Sequence, residues 1–428
     1  MNKTAVREFV APETSVAPGE VLVVTEVGSP AFGQLQCPAA PLVGGTLHRR
    51  GQRTRFAAVR RCEDPAHDDG ASLYLATRQQ PDGSAAAIAA AAAATDRVAA
   101  AAARAAVQEW AAVLGTRRLL TGPGPWCSGA ARALRMAGRE VAENAGPDGQ
   151  SQVHVLGQLA GSPAEIAELR QRGAVFADSL DDIPAGGTVI FPAHGVAAAV
   201  RAEAAERGLN VVDATCPLVA SIHVEASRLA GRGDQLVLIG HPGHAAAAGL
   251  AGQAPGRTTA AGTPAGAAAL RVDDPRRVSY LLQPGTPVEE TAPVVTALRS
   301  RFPALRDPQA GAACYAASDR AETIRAIASG CDAVLVLGSA GSADAASLAG
   351  LARSRGARAH VISEVSDIVP GMLAGVTAIG LAEATSASPG LTGRVITALS
   401  GLGPLSVLRR QVRTEIAEPP EPQAAACS

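Results

Sequence analysis

The stretch "NVVDATCPLV", residues 210–219, decides the fold, because a β-branched run ends there on a cysteine that an apolar helical pattern follows. Residues Asn210 to Asp213 read as a strand and the segment after Cys216 as a helix ending near Gly231, so Cys216 falls at a strand-to-helix turn. Two other segments have the same plan. "RRLLTGPGPWCSGAARALRMAG" holds a strand near Arg118 to Thr121, then Cys127, then a helix ending near Gly138. "GAACYAASDRAETIRAIASG" holds Cys314 and a helix ending near Gly330. Each helix leads into an apolar strand and a glycine loop: "VHVLGQLAGS" from Val153, "LVLIGHPGH" from Leu236 and "VLVLGSAGS" from Val334. The offset from Cys216 to Gly240 equals that from Cys314 to Gly338, and that from Cys127 to Gly157 is slightly longer. A further strand and loop closes each unit: "TVIFPAHGV" from Thr188, "VSYLLQPGT" from Val278 and "VTAIGLAEATSAS" from Val376.

Alternating strands and helices of this kind predict an α/β protein with parallel sheets, and the repeat predicts three similar small lobes around a central cavity. The expected boundaries are 117–213, 214–312 and 313–400 for the lobes. Residues 1–83 read as an N-terminal appendage with strand candidates, 84–116 as an Ala-rich helix by propensity, and 401–428 as a Pro-rich tail. Ligands of open parallel sheets sit outside the carboxyl ends of the strands, which is where the cysteines and glycine loops fall.

A net charge of −1, with basic and acidic residues interspersed, leaves no electrostatic footprint for nucleic acid. No apolar run reaches membrane-spanning length and the N-terminus lacks the apolar core of a secretory signal, so the expected location is cytoplasmic. Seven cysteines spread over 428 residues do not form a disulfide scaffold. Reduced thiols are free to bind metal. Three of them at matched positions, each opening a helix, form a trigonal set of soft ligands that suits an iron–sulfur cluster, zinc or copper(I). A cubane on three thiolates has one iron without a protein ligand. Cys331 reads as packing, Cys427 as an incidental thiol in the tail, and Cys37, Cys62, His48 and His67 lack ligand spacing.

His194 in "FPAHGV" and His244 in "GHPGH" lie in loops after strands, as do Ser342 in "GSAGS" and Ser386 in "EATSAS". Imidazole, hydroxyl and backbone N–H groups in such loops can hold phosphate. His241 shapes its loop, and His223 lies on the helix after Cys216. No GxxxxGK[ST], GxSxG or HExxH motif is present, which sets aside P-loop, serine-hydrolase and zincin chemistry.

The stretches "WCSGAARAL", "VIFPAHGV", "VVDATCPLV", "LVLIGHPGH", "CYAASDRAE", "VLVLGSAGSADAASL" and "EATSASPGL" resemble the 4-hydroxy-3-methylbut-2-enyl diphosphate reductase family (LytB/IspH) over about residues 118 to 400. The resemblance implies three lobes and a [4Fe-4S] cluster on Cys127, Cys216 and Cys314. It implies two-electron removal of an allylic hydroxyl from a prenyl diphosphate, giving isopentenyl and dimethylallyl diphosphates, with ferredoxin or flavodoxin as electron donor. His194, His244, Ser342 and Ser386 would contact the diphosphate, with Thr286 and Asp344 in the same shell.

Four departures from the family pattern fall in that shell. Gly161 stands where the family has a histidine, Ala246 where it has the catalytic glutamate of "GHPE", and Pro284 where it has a threonine, although Thr286 is close by. A Ser-Ser-Asn run becomes Ser342, Ala343 and Asp344. Ala246 has no proton to relay, and Asp344 brings a carboxylate toward a diphosphate subsite. Three readings stay open at this point: the standard reductase working slowly, a paralogue reducing another small molecule, and a non-catalytic iron–sulfur sensor.

Overall fold

The computed structural model describes residues 5–63, 70–79, 85–144, 152–241, 243–309 and 311–414, so His67 and Cys427 lie outside the described residues. The chain divides into two compact units, one of residues 1–124 with 323–410 and one of 125–322 with 411–428.

In the second unit, the strands Asn210–Asp213, Thr188–Phe191, Val153–Leu156 and Val175–Ala177 form one sheet in that order, with every pair parallel. A second parallel sheet has the order Thr258–Ala261, Gln235–Ile239, Val278–Leu282. The expected α/β class with parallel strands is thus met. The crossovers are helices with their apolar faces inward: Ser128–Glu143 buries Ala133, Ala137 and Val141 against Val153, Val155 and Ile190. Helix Pro217–Gly231 buries Ile222, Ala226 and Leu229 against Leu236 and Leu238.

The first unit holds a five-stranded parallel sheet in the order Arg358–Ile362, Ala333–Leu337, Ala378–Glu383, Arg117–Thr121, Leu405–Arg409. The strand Arg117–Thr121, expected within the 117–213 lobe, pairs with Ala378–Glu383, where Leu119 enters a core with Leu335 and Ile379. Leu405–Arg409, expected within the tail, is the edge strand of that same sheet. Local periodicity marks strands but does not say which neighbour a strand will choose.

The N-terminal residues build a six-stranded sheet in the order Arg7–Ala11, Ala71–Gln79, Ala85–Ala93, Glu20–Ser29, Gly33–Gln36, with Arg53–Val59 also pairing parallel to Glu20–Ser29. Here the Ala-rich helix expected over 84–116 is corrected. Residues Ala85–Ala93 are a strand, and only Arg97–Ala111 is helical. The reason is burial on both faces. Ile88, Ala90 and Ala92 enter the core shared with the five-stranded sheet, while Ala87, Ala89 and Ala91 enter a second core with Leu22, Val24 and Leu73. Pairing on both edges, to Ala71–Gln79 and Glu20–Ser29, outweighs an alanine's helix propensity of under about 1 kcal/mol per residue. Asp96 makes the switch, accepting the N–H groups of Val98 (3.1 Å) and Ala99 (3.0 Å) on one oxygen and that of Gly19 (2.6 Å) on the other.

No described helix is long and apolar enough to cross a membrane. Because Ala90 is fully buried in a two-faced strand, Ala90→Leu should destabilise the protein by about 1–3 kcal/mol in urea titration. Ala101→Leu, on the exposed face of helix Arg97–Ala111, should stay within about 0.5 kcal/mol.

Candidate functional site

The second unit gathers three thiols. Cys127 has extended backbone (φ −64°, ψ 162°) at the start of helix Ser128–Glu143, and its Sγ accepts the N–H of Ala130 at 3.4 Å. Cys216 is likewise extended (φ −60°, ψ 133°) just before Pro217, and its own N–H donates to the Ala193 carbonyl at 2.9 Å. Both sulfurs stand at helix N-termini, where unpaired N–H groups favour negative charge. Burial pushes the Cys314 thiol above its ordinary range, the N–H groups of Ala316 and Gly285 draw it partly back, and charge on Cys127 and Cys216 pushes it up again. The three expected thiols therefore lie within electrostatic reach of one another. Gly129 makes the approach possible, since a Cβ there would stand 2.5 Å from the Cys216 Sγ.

Among the described residues, no group of three or more His, Cys, Asp or Glu is arranged to hold one metal ion. An iron–sulfur cluster takes each thiolate on a different iron, and an all-thiol donor set suits that chemistry. The remaining cysteines differ in kind. Cys37 and Cys62 lie in the N-terminal apolar core, where burial pushes Cys37 up to about 12, and burial likewise pushes Cys331 up to about 11.

His194 and His244 come together edge to face, with ring centroids 5.2 Å apart. Glycines bring them there. A Cβ on Gly249 would stand 3.2 Å from the Gly195 carbonyl oxygen, and one on Gly252 only 2.3 Å from the Ala197 Cβ. Gln253 ties the same contact by donating to the Val196 (2.9 Å) and Gly249 (2.8 Å) carbonyls. Burial, and then the neighbouring His244, hold the His194 imidazole below its ordinary range. The Nδ1 of His244 accepts the Ala246 N–H at 3.1 Å, which leaves Nε2 as the protonated, donating nitrogen. Ala246 itself is fully buried.

Residues that sequence reading missed hold these loops in place. Gln283 Oε1 accepts the His241 N–H at 2.8 Å, and a Cβ on Gly240 would meet Gln283 at 2.4 Å. Asp213 accepts the Thr215 N–H (3.0 Å) and hydroxyl and pairs with Arg201 at 2.7 Å; burial raises its carboxyl, but those bonds outweigh it and leave it lowered. Arg132 donates to the Thr215 carbonyl at 3.3 Å. His223 is buried with no hydrogen-bond partner on Nε2 and packs under the turn at Gly195 (φ 68°), where a Cβ would stand 2.7 Å from its Cε1. Thr286 is also buried, and its hydroxyl has no partner. A lone Gln or His carries no local signal of such a role, because each contact joins loops distant in sequence.

In the first unit, Ser342 caps helix Ala343–Arg353 by accepting the Ala345 N–H at 3.3 Å. Ser386 Oγ accepts the Ser339 N–H at 3.0 Å, and Asp344 accepts the Thr385 N–H at 2.7 Å. The two loops "GSAGSAD" and "EATS" are thereby laced together, with Asp344 as one of the stitches. Gly161, in the other unit, is crowded by Ile166 and Leu134, within 3.0–3.3 Å of where a Cβ would sit.

A family model described as LytB protein matches residues 119–400. A 4-hydroxy-3-methylbut-2-enyl diphosphate reductase 2 from Mycobacterium bovis is 44% identical over 301 residues, covering 69% of this chain and 90% of that protein. The reductase of Bordetella bronchiseptica is 38% identical over 289 residues, covering 68% and 87%. Among solved structures, the E-1-hydroxy-2-methyl-but-2-enyl-4-diphosphate reductase of Plasmodium falciparum superposes with a TM-score of 0.59 at 25% identity, over 71% of this chain and 95% of that one.

Burial, with Arg201 nearby, lowers His223 to about 4 from an ordinary 6.5, while Asp213 opposes the shift. The unfolded chain takes the proton first, so stability is full above about pH 6.5 and falls as pH drops toward 4. Across that window the loss should be about 2–3 kcal/mol. In His223→Gln this part of the pH slope should vanish in denaturation curves taken between pH 7 and pH 4.5.

Proposed function

This chain is a member of the LytB family, and on that premise we propose that it is an iron–sulfur reductase that removes the allylic hydroxyl of 4-hydroxy-3-methylbut-2-enyl diphosphate. The observation that carries the reading is the gathering of Cys127, Cys216 and Cys314 in one unit, with Gly129 leaving room for the Cys216 sulfur. Two electrons and two protons enter, the hydroxyl leaves as water, and isopentenyl and dimethylallyl diphosphates form. A [4Fe-4S] cluster on these thiols would supply electrons singly and an iron free of protein ligands as a Lewis acid for the hydroxyl. Ferredoxin or flavodoxin would be the electron donor.

The protein's own groups bind and orient the diphosphate. His244, fixed with Nε2–H outward by the Ala246 N–H, is a hydrogen-bond donor to a phosphate oxygen. His194, held largely neutral by burial, would gain a proton's worth of attraction once an anion lies beside it. Ser342 at its helix N-terminus, and Ser386 beside the Ser339 N–H, supply hydroxyl and backbone donors. The buried Thr286 hydroxyl, next to the Gly285 N–H that faces Cys314, is a further donor. Asp344 spends an oxygen on the Thr385 N–H, so its charge is partly compensated inside the loop pair.

Ala246 supports a second reading, an altered substrate, because the position can neither give nor take a proton. In the first reading water delivers the proton in place of the missing acid, and turnover is slow.

The thiol assignment is checked by iron analysis after anaerobic reconstitution: wild type should be brown and hold close to four irons per chain, as a [4Fe-4S] cluster requires, and Cys216→Ser should lose most of the iron and colour. A colourless, iron-free wild type would overturn the reading. Ala246→Glu, assayed with a reduced mediator and the diphosphate, should raise turnover by about 10²-fold or more if only the acid is missing. An unchanged rate would point instead to another substrate.

A further inference from the structure

The family model matches from residue 119, and the 301-residue alignment with the Mycobacterium bovis relative already covers 90% of that protein, so most of residues 5–111 has no counterpart there. In this chain that segment is not a separate module. Leu42, Val43, Leu47, Val107 and Trp110 share one core with Leu337, Ile362, Val365, Ala387 and Leu391, and Ala387 directly follows Ser386.

Two points press hardest on the catalytic half of this unit. Helix Ala40–Arg49 runs so close to the turn Val365–Asp367 that a Cβ on Gly45 would stand 2.3 Å from the Ser366 carbonyl oxygen. Arg49, on the exposed end of the helix, donates to that same oxygen and to the Ile368 carbonyl at 3.5 Å. Behind them, Thr46 accepts the Trp110 Nε1–H at 3.0 Å inside the core. From the turn the bonds lead toward the loops. Asp367 accepts the N–H groups of Ser363 (2.7 Å) and Glu364 (2.9 Å), and the Ser363 hydroxyl donates to the Gly338 carbonyl at 3.1 Å. Gly338 opens the loop that carries Ser339 and Ser342, and a Cβ on it would stand 2.8 Å from Ser386 Oγ. A cavity of about 910 Å³ lies along the seam, lined in part by Gly45, Arg49, Ser366, Asp367 and Arg394. Helix and turn both line this cavity, and the contacts at Gly45 and Arg49 hold the turn beside it.

We infer that the N-terminal segment acts as a positioning element for the serine loops, with Gly45 and Arg49 setting the Ser366 turn and, through Asp367 and Ser363, the loop Gly338–Ser342. The role of that loop in holding a diphosphate rests on the function proposed above; the mechanical link does not. Arg49 and Gly45 touch no substrate and act only through the turn.

The test uses the full-length, cluster-loaded protein in two measurements. Amide hydrogen exchange should quicken about 3- to 10-fold at residues 363–367 and also at 338–344 in Arg49→Ala and in Gly45→Ala, with Arg49→Lys recovering part of the protection. Affinity for inorganic diphosphate, read by calorimetry, should fall by a similar factor in the same variants. Leu22→Ala, in the core on the far face of the N-terminal sheet, serves as the control for lost stability alone and should leave both readouts unchanged. Faster exchange confined to the turn, with residues 338–344 unchanged, would overturn the inference, as would an equal effect in Leu22→Ala. If wild type fails to bind diphosphate while exchange at 338–344 still responds, the positioning link stands and the assignment of the loop to diphosphate falls.

Discussion

Cys216 can stand beside the Cys127 helix only because residue 129 has no side chain, and everything proposed for the thiol set depends on that approach. The constraint reaches further than one contact. The Cys216 N–H is held by the Ala193 carbonyl, and the next residue is His194, so the position of the thiol and of the imidazole are fixed by the same loop. Thr215, one residue earlier, is gripped by Asp213, Arg201 and Arg132. Buried His223 then fills the space under Gly195 and beside Thr215. A shift of the cysteine would have to break several charge-assisted bonds at once, each worth about 1.5–3 kcal/mol. Such support keeps first contacts in place before a ligand arrives.

A second constraint of the same kind governs the other unit. Helix Ala40–Arg49 approaches the Ser366 turn at a glycine, and Gly401 approaches Ala39 so closely that a Cβ would lie 2.5 Å from its backbone nitrogen. Close backbone contact at two glycines makes the N-terminal segment part of one core rather than an attachment. Sequence composition pointed to a separable region because the Ala-rich run looks like a boundary. In the folded chain the run is the centre of a sheet.

The legible part of the molecule is what local pattern encodes. Parallel strands and the helices after Cys127 and Cys216 follow from hydrophobic periodicity. What sequence reading missed depends on partners far along the chain. Poly-alanine is helical until two neighbouring strands and two apolar layers compete for it, and nothing within residues 85–93 announces those neighbours. Strand Arg117–Thr121 carries no mark of its choice of sheet. Gln283, Gln253 and His223 matter through contacts across 42, 57 and 28 residues of chain, respectively, and such contacts leave no period to find. The glycines at 129, 249 and 252 are read correctly only when the facing residue is known.

The structure also sharpens what the loss of an acid at position 246 means. The backbone there keeps its task, since the Ala246 N–H fixes His244 with Nε2 as donor. Burial and its partner His244 bias His194 toward the neutral form. In the proposed site the histidine pair would serve to orient an anion. In the proposed reaction the proton that turns hydroxide into water would have to come from a source other than position 246. A reductase so arranged is limited at the leaving group, and a substrate with a better leaving group than hydroxide would escape that limit.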